Sequence, residues 1–344
     1  MHPDLILYNG VIHTLSQPAR ASALAASNGR IVAVGHDAAM RALVGPATRL
    51  VNLDGRCVVP GMIDAHLHLA WFGLSLALVN LDEARSLAEC LERVRSVPVA
   101  GNGWLRGSGW NHNAWDKPLF PDRHALDAVA PQRPVMLTRK DGHSVWVNTQ
   151  ALALANVTRD TPDPAGGAID RDPQSGEPTG ILRENAIELV ERVIPKPGAA
   201  DIEQALLAAQ ERALAAGLTG VHTMEGAGAF AALQRLDAAG KLVLRVCQSI
   251  PKDNLDMAIG LGLRSGFGNE RLRLGGVKLF ADGSLGSATA AMLDDYAGMP
   301  GVRGVTTLST EELRRLVGKA VAAGIAPTVH AIGDAANRTV LDVF

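Results

Sequence analysis

The chain has 344 residues, 47% hydrophobic and 20% charged, with 33 basic against 35 acidic side chains and a net charge of −2. That length can bury the core of one large barrel or of two medium domains. The balanced charge excludes an electrostatic footprint for nucleic acid or an anionic membrane, and no apolar run of about 18 residues offers a membrane span.

Cys57, Cys90 and Cys247 are scattered, without metal-ligand spacing, and read as buried thiols of a reducing compartment. The N-terminus lacks the basic and apolar regions of a signal peptide, so the expected location is cytoplasmic. Residues 1–60 read as short strands divided by turns, a small β-sheet module. Leu5–Tyr8, Asn9-Gly10 and Val11–Leu15 predict one hairpin. Ala23–Ala26 and Ile31–Gly35 predict a second, and Arg49–Leu53 with Cys57–Val59 a third. His2, His13 and His36 in this region read as structural or exposed.

Val59-Pro60-Gly61-Met62-Ile63-Asp64-Ala65-His66-Leu67-His68-Leu69 follows. Alternate residues of a strand share a face, so His66 and His68 project side by side from its end. Two neutral imidazoles held this way are half of a transition-metal site, although a His-x-His pair on its own is a weak signal. Residues 82–95 carry helical spacing (Leu87, Leu91, Val94) with Ser86 as cap. Gly101–Trp115, rich in Gly, Trp, Asn and His, reads as an irregular loop, either a packed aromatic loop or, with Trp110, a wall for a partly apolar substrate. Pro134–Arg139 reads as a strand, then Asp141-Gly142-His143 to Asn148. Residues 156–180 are turn-rich, and Glu184 ends the excursion.

From about residue 201 strand–helix units repeat. Asp201 is the expected cap of a helix that Gly217 ends, and Leu218–Met224 forms a strand. Helices over 227–239, 253–264 and 310–323 alternate with strands at 242–250, 272–280 and 325–332. Such units build a parallel barrel or a doubly wound sheet. No Gly-x-Gly-x-x-Gly opens a helix after a strand, which argues against a dinucleotide fold. His66, His68, Lys278 and His330 sit at or near strand C-terminal ends, where barrels gather their chemistry. Lys278 stands among apolar neighbours, and a cation there needs a partner such as Asp282 or another role. His222 and Glu225 at the end of the second strand are outside candidates.

Taken together, Pro60–His68, Asp141-Gly142-His143 with Asn148, Val277–Gly286 and Thr328–Ala336 resemble the amidohydrolase superfamily, in its amidohydrolase 3 or YtcJ-like branch. The resemblance implies a partial TIM-type (β/α)8 barrel with about five of eight strands. Residues 1–60 would be part of a β-sandwich, and residues 61–344 an incomplete barrel with an insertion at about 78–200. It implies His66, His68, Lys278 and His330 as metal ligands for one or two Zn2+ ions or other divalent metals. In related enzymes a lysine at this place can be carboxylated and bridge two metals. It makes His143 either a substrate contact or a structural hydrogen-bonding residue, and Trp110 and Asp282 are the other expected substrate contacts. The implied reaction is hydrolysis of non-peptide amide C–N bonds, with N-acyl or N-formyl amines as substrates, by metal-activated hydroxide. Deaminase or cyclic-amide chemistry is the alternative, and an inactive metal-binding paralogue a third reading. A small molecule is the expected partner, with homo-oligomer formation open. The family's sixth-strand histidine and eighth-strand aspartate have no counterpart, so a truncated chain is expected. Asp334 comes too soon after His330 to replace that aspartate.

Overall fold

The computed structural model describes residues 2–97, 103–285 and 288–344; Gly101 and Gly286 of the motifs above lie outside them. The chain forms two compact units, Met1–Asp64 with Gly217–Gly220, and Ala65–Ala216 with Val221–Phe344. Among the described residues no helix is long and apolar enough to cross a membrane.

In the first unit a four-stranded sheet orders Arg30–Gly35, Ala23–Ser27, Leu5–Tyr8 and Arg49–Asn52. A three-stranded sheet orders Arg20–Ala21, Val11–His13 and Cys57–Val58. The hairpin at 23–35 forms, with Asn28 and Gly29 at positive φ as a two-residue turn of this kind requires. The other two expected hairpins do not. Leu5–Tyr8 pairs antiparallel with Ala23–Ser27 and parallel with Arg49–Asn52, while Val11–His13 crosses to the other sheet. Contacts to residues distant in sequence accompany the switch. The Asp37 carboxylate accepts the Asn9 amide at 3.1 Å, and a Cβ on Gly10 would lie 2.3 Å from Leu53 Cδ1. Asn9-Gly10 therefore passes the chain between sheets. Cys57 is exposed on an edge strand and Cys247 half-buried, so only Cys90 is the enclosed thiol expected of all three.

The second unit holds two sheets. The segment Val79–Glu184 supplies six strands in the order Gly167–Arg171, Pro178–Glu184, Ser144–Val147, Val135–Arg139, Leu105–Trp110 and Val79–Asn80. Leu105–Trp110 corrects the expected loop. Its glycines serve close packing, since a Cβ on Gly107 would meet Leu137 Cδ2 and the Val79 carbonyl, each at 2.8 Å. One apolar cluster packs Trp110, Trp115, Leu126, Leu137 and Trp146, and another packs Val145, Val147, Leu152 and Leu182. Ser86 caps the helix Leu87–Arg95 as expected, its hydroxyl accepting the Glu89 amide at 3.1 Å.

The remaining elements alternate. Strand β1 (Met62–Leu67) leads into helix α1 (Leu69–Leu76). After the inserted sheet come α2 (Ala199–Ala215), β2 (Leu218–Thr223), α3 (Ala227–Ala238), β3 (Arg245–Pro251), α4 (Leu255–Gly260), β4 (Leu272–Phe280), α5 (Thr310–Ala322), β5 (Ala326–His330) and α6 (Asp334–Val343). The five strands form one sheet in the order β1-β2-β3-β4-β5, parallel at β3–β4 and β4–β5. This is part of a TIM-type barrel. α2 begins at Ala199 rather than at Asp201. The Asp201 carboxylate lies inside the first turn and accepts the Gly198 amide at 2.9 Å. Ile250, Leu274, Val277, Leu279, Leu316 and Ile325 seal the sheet against its helices.

Candidate active site at the strand ends

β1 stops at Leu67, and His68 becomes the residue before the first turn of α1, making no side-chain cap bond of its own. The first amides of any helix lack intrahelical acceptors. Here the end of β2 supplies them. Thr223 Oγ1 accepts the Leu69 amide at 3.2 Å, and Glu225 Oε1 accepts the Ala70 amide at 2.8 Å. Thr223 and Glu225 are both buried. Burial pushes the Glu225 carboxyl above the usual range, against the pull of the Ala70 amide and nearby His68. The rings of His66 and His68 lie 6.0 Å apart at 70°, and His68 is 5.8 Å from Trp71.

β4 carries the second group. Lys278 is 5% exposed, and burial pushes its ammonium below the ordinary lysine range. Among the described residues it has no carboxylate partner; its Nζ stands 4.9 Å from the centre of the Phe280 ring. Lys278 lines a cavity of about 400 Å³ with Glu225, Ser249, Lys252, Asp253 and Phe280. His330 on β5 is in register with Phe280, and their rings are 5.3 Å apart. His330 Nε2 lies 2.8 Å from the Gly283 carbonyl. A carbonyl only accepts, so Nε2 carries the proton and the lone pair stays on Nδ1.

Asp282 has other work than pairing Lys278 or meeting a substrate. Its side chain is sealed from solvent. Oδ2 accepts the Ala291 and Gly333 amides at 2.9 and 2.7 Å, and Oδ1 accepts that of Ile332 at 3.0 Å. It clasps the chain after β4 to the turn after β5, with His330 Nε2 3.7 Å away. Asp334 acts likewise, accepting the Leu293 amide at 2.8 Å.

Trp110 is not a substrate wall. It is fully enclosed in the inserted core, and its Nε1–H donates to the Leu137 carbonyl at 2.8 Å. The solvent-facing candidate in this region is His143, whose side chain is 68% exposed. Its Nδ1 lies 3.1 Å from the Glu184 carboxylate, a bond that raises its pKa. Glu184 adopts φ 48°, ψ −128°, a backbone state that costs a side-chain-bearing residue on the order of 1–3 kcal/mol. His222 is exposed on β2.

His66 and His68 thus form one pair, and Lys278, Phe280 and His330 a second group. No three His, Cys, Asp or Glu side chains come together as a metal-holding cluster among the described residues. The donor chemistry fits a divalent cation. Two imidazoles and a third ring with its lone pair on Nδ1 are nitrogen ligands of the usual kind, and an enclosed lysine with no carboxylate partner among the described residues is what carboxylation would turn into an anionic oxygen ligand. Sequence reasoning gave Glu225 little weight and passed over Ser249 and Asp253. The available signal was their place just beyond β2 or at the end of β3.

A model of the Amidohydrolase family, Amidohydro_3, matches residues 49–344. "Putative amidohydrolase YtcJ" of Bacillus subtilis is 35% identical over 351 residues, 98% of this chain and 65% of that protein. "N-substituted formamide deformylase" of Arthrobacter pascens is 31% identical over 362 residues, 99% of this chain and 65% of that protein. The chain therefore spans just under two thirds of these relatives. An uncharacterized metal-dependent hydrolase of Pyrococcus furiosus superposes with a TM-score of 0.81 at 32% identity, over 99% of this chain and 69% of that structure.

Proposed function

From the premise that this chain belongs to the Amidohydrolase family, we propose that it serves a metal-dependent hydrolysis of amide-type C–N bonds outside peptides, with N-formyl or N-acyl amines as the substrate class. The relative that acts on N-substituted formamides supports the substrate class, and the Pyrococcus hydrolase supports the metal. His66, His68, Lys278 and His330 would hold it, with zinc the cation best matched to nitrogen-rich ligands. Bound there, a divalent cation supplies Lewis acidity for an amide carbonyl and acidifies water.

The observation that carries the reading is Lys278. A buried cation with no carboxylate partner among the described residues is a poor structural residue, and it stands one strand from a histidine whose ring lone pair lies on Nδ1. Burial favours the neutral amine, the form whose nitrogen adds to the carbon of CO2 and sheds a proton to leave a carbamate anion. The cavity beside it offers the Ser249 and Thr307 hydroxyls, the charged Lys252 and Asp253, and the Phe280 ring. It suits a small molecule with one polar carbonyl and an apolar substituent. At the inserted sheet, the exposed ring of His143, held by Glu184, is a further contact for a polar substrate group.

The test is to strip the chain with chelator, reload it with Zn2+, Co2+ or Mn2+ plus bicarbonate, and count bound metal. Turnover is then followed on N-formyl and N-acyl amines beside cyclic amides and amino-heterocycles. Stoichiometric metal with formate or acid release supports the proposal. Product from the last two groups alone moves the activity to cyclic-amide hydrolysis or deamination, and absence of bound metal overturns it.

A further inference from the structure

We infer that Thr223 and Glu225 are positioning residues for the histidine pair, a helix cap delivered from β2 that fixes the backbone at His68. The inference rests on the metal-centre reading only for the purpose of the pair; the cap itself is geometry.

Helices usually begin with Ser, Thr, Asp or Asn, whose side chain takes an amide of the first turn. α1 begins instead with His68, whose side chain takes none. A ring that folded back to cap its own helix would turn away from the His66 ring. The acceptors come from residues 154 and 155 positions beyond the amides they take. Glu225 is anchored in turn, because the buried Gln248 on β3 donates from Nε2 to the Glu225 carbonyl at 2.9 Å. A carboxylate at a helix N-terminus also gains from the helix dipole.

The far face of α1 removes the remaining freedom. A Cβ on Gly73 would stand 1.9 Å from the Ala205 carbonyl oxygen, so α1 lies backbone-to-backbone on α2. The helix is pinned on one side by contact and at its start by two acceptors. The residue between that start and β1 has nowhere to move. Glu225 also lines the cavity that holds Lys278, so one side chain borders both groups of candidate ligands.

Four variants test this in the 344-residue chain. Glu225→Gln keeps a carbonyl oxygen for the Ala70 amide, and Glu225→Met deletes it. Thr223→Ser and Thr223→Val form a milder pair in case Glu225→Met does not fold. Asn148→Ala is the control: Asn148 is an equally buried cap of the helix Thr149–Leu154, accepting the Ala151 amide at 3.1 Å. The readouts are hydrogen exchange at Leu69 and Ala70, the His66 and His68 ring resonances, the Co2+ absorption spectrum and the Co2+ dissociation constant. Glu225→Met should speed exchange at Ala70, shift the His68 ring and weaken Co2+ binding about 10–100-fold. Glu225→Gln should stay within about threefold of the parent. Asn148→Ala should lower the melting temperature without touching ring or metal. Unchanged ring resonances and metal affinity in Glu225→Met, or a Glu225→Gln as impaired as Glu225→Met, overturn the cap. If the parent chain takes up no Co2+, the proposed function falls by itself, and ring resonances and amide exchange still decide the positioning.

Discussion

Replacing Lys278 by Met should stabilise the metal-free protein. The two side chains have similar length, so the hydrocarbon burial of the lysine stem is kept. The substitution deletes an ammonium that is 5% exposed and has no carboxylate partner among the described residues. Burying a polar group without a partner costs about 1–3 kcal/mol in protein mutational data. The Phe280 face, 4.9 Å from Nζ, returns roughly 1 kcal/mol as a cation–π contact. Methionine should therefore win by up to about 2 kcal/mol, or up to roughly 5 °C in melting temperature for a unit of this size. The sign with pH follows from burial holding the folded-state pKa below the unfolded one. Between those two values the unfolded chain binds more protons, so wild-type stability rises with pH. The penalty is fully present below the folded pKa and is relieved as pH climbs to the ordinary lysine value, where the advantage of methionine shrinks. Thermal melts of both proteins in chelator, at neutral pH and at two alkaline values, measure this. Bicarbonate with Zn2+ should raise the melting point of the parent and leave Lys278→Met where it was. A Lys278→Met protein less stable than its parent in chelator at neutral pH refutes the reasoning, because it would mean that the ammonium is well solvated or paired.

Asp282→Asn should lower stability by roughly 2–4 kcal/mol, read as a shifted denaturant midpoint. One amide oxygen cannot serve the three backbone donors now bound by two carboxylate oxygens, and its NH2 would face a donor. Trp110→Ala should cost about 3–5 kcal/mol, with loss of the near-ultraviolet circular dichroism of the inserted aromatic core; a raised KM without loss of stability would instead restore Trp110 to the substrate. Glu184→Gln should lower the pH at which the His143 ring titrates by NMR. Glu184 raises that pKa now, so the pair favours the folded state below the unfolded histidine value and loses that contribution as pH rises through the folded one. An unmoved titration curve would mean that the contact at 3.1 Å is not kept in solution.

What was legible in the sequence was what a single strand encodes. His66 and His68 follow from a period of two, and Lys278 and His330 from their places at the ends of apolar runs. The strand–helix alternation and the position of these four residues at or near strand ends could therefore be read without a contact map, while the choice of a barrel over a doubly wound sheet came from the family resemblance. Most of the misreadings share one cause, side chains whose partner is remote in sequence. Asn9-Gly10 carries the local signal of a hairpin, yet the Asp37 carboxylate 28 positions on takes the Asn9 amide and sends the strands to different sheets. Trp110 stands in a glycine-rich run that looks like a loop, but Gly107 in it lies where the neighbouring strands leave no room for a Cβ. Asp282 looks like a counter-ion to Lys278 four residues earlier, whereas the amides it serves lie 9 to 51 positions later. Glu225 is the extreme case. Nothing near it marks a cap, because the helix it caps lies 155 residues back, brought beside it by strand pairing. A function built on strand ends makes such pairings necessary: if ligands occupy the last residues of one strand, their support has to come from the next.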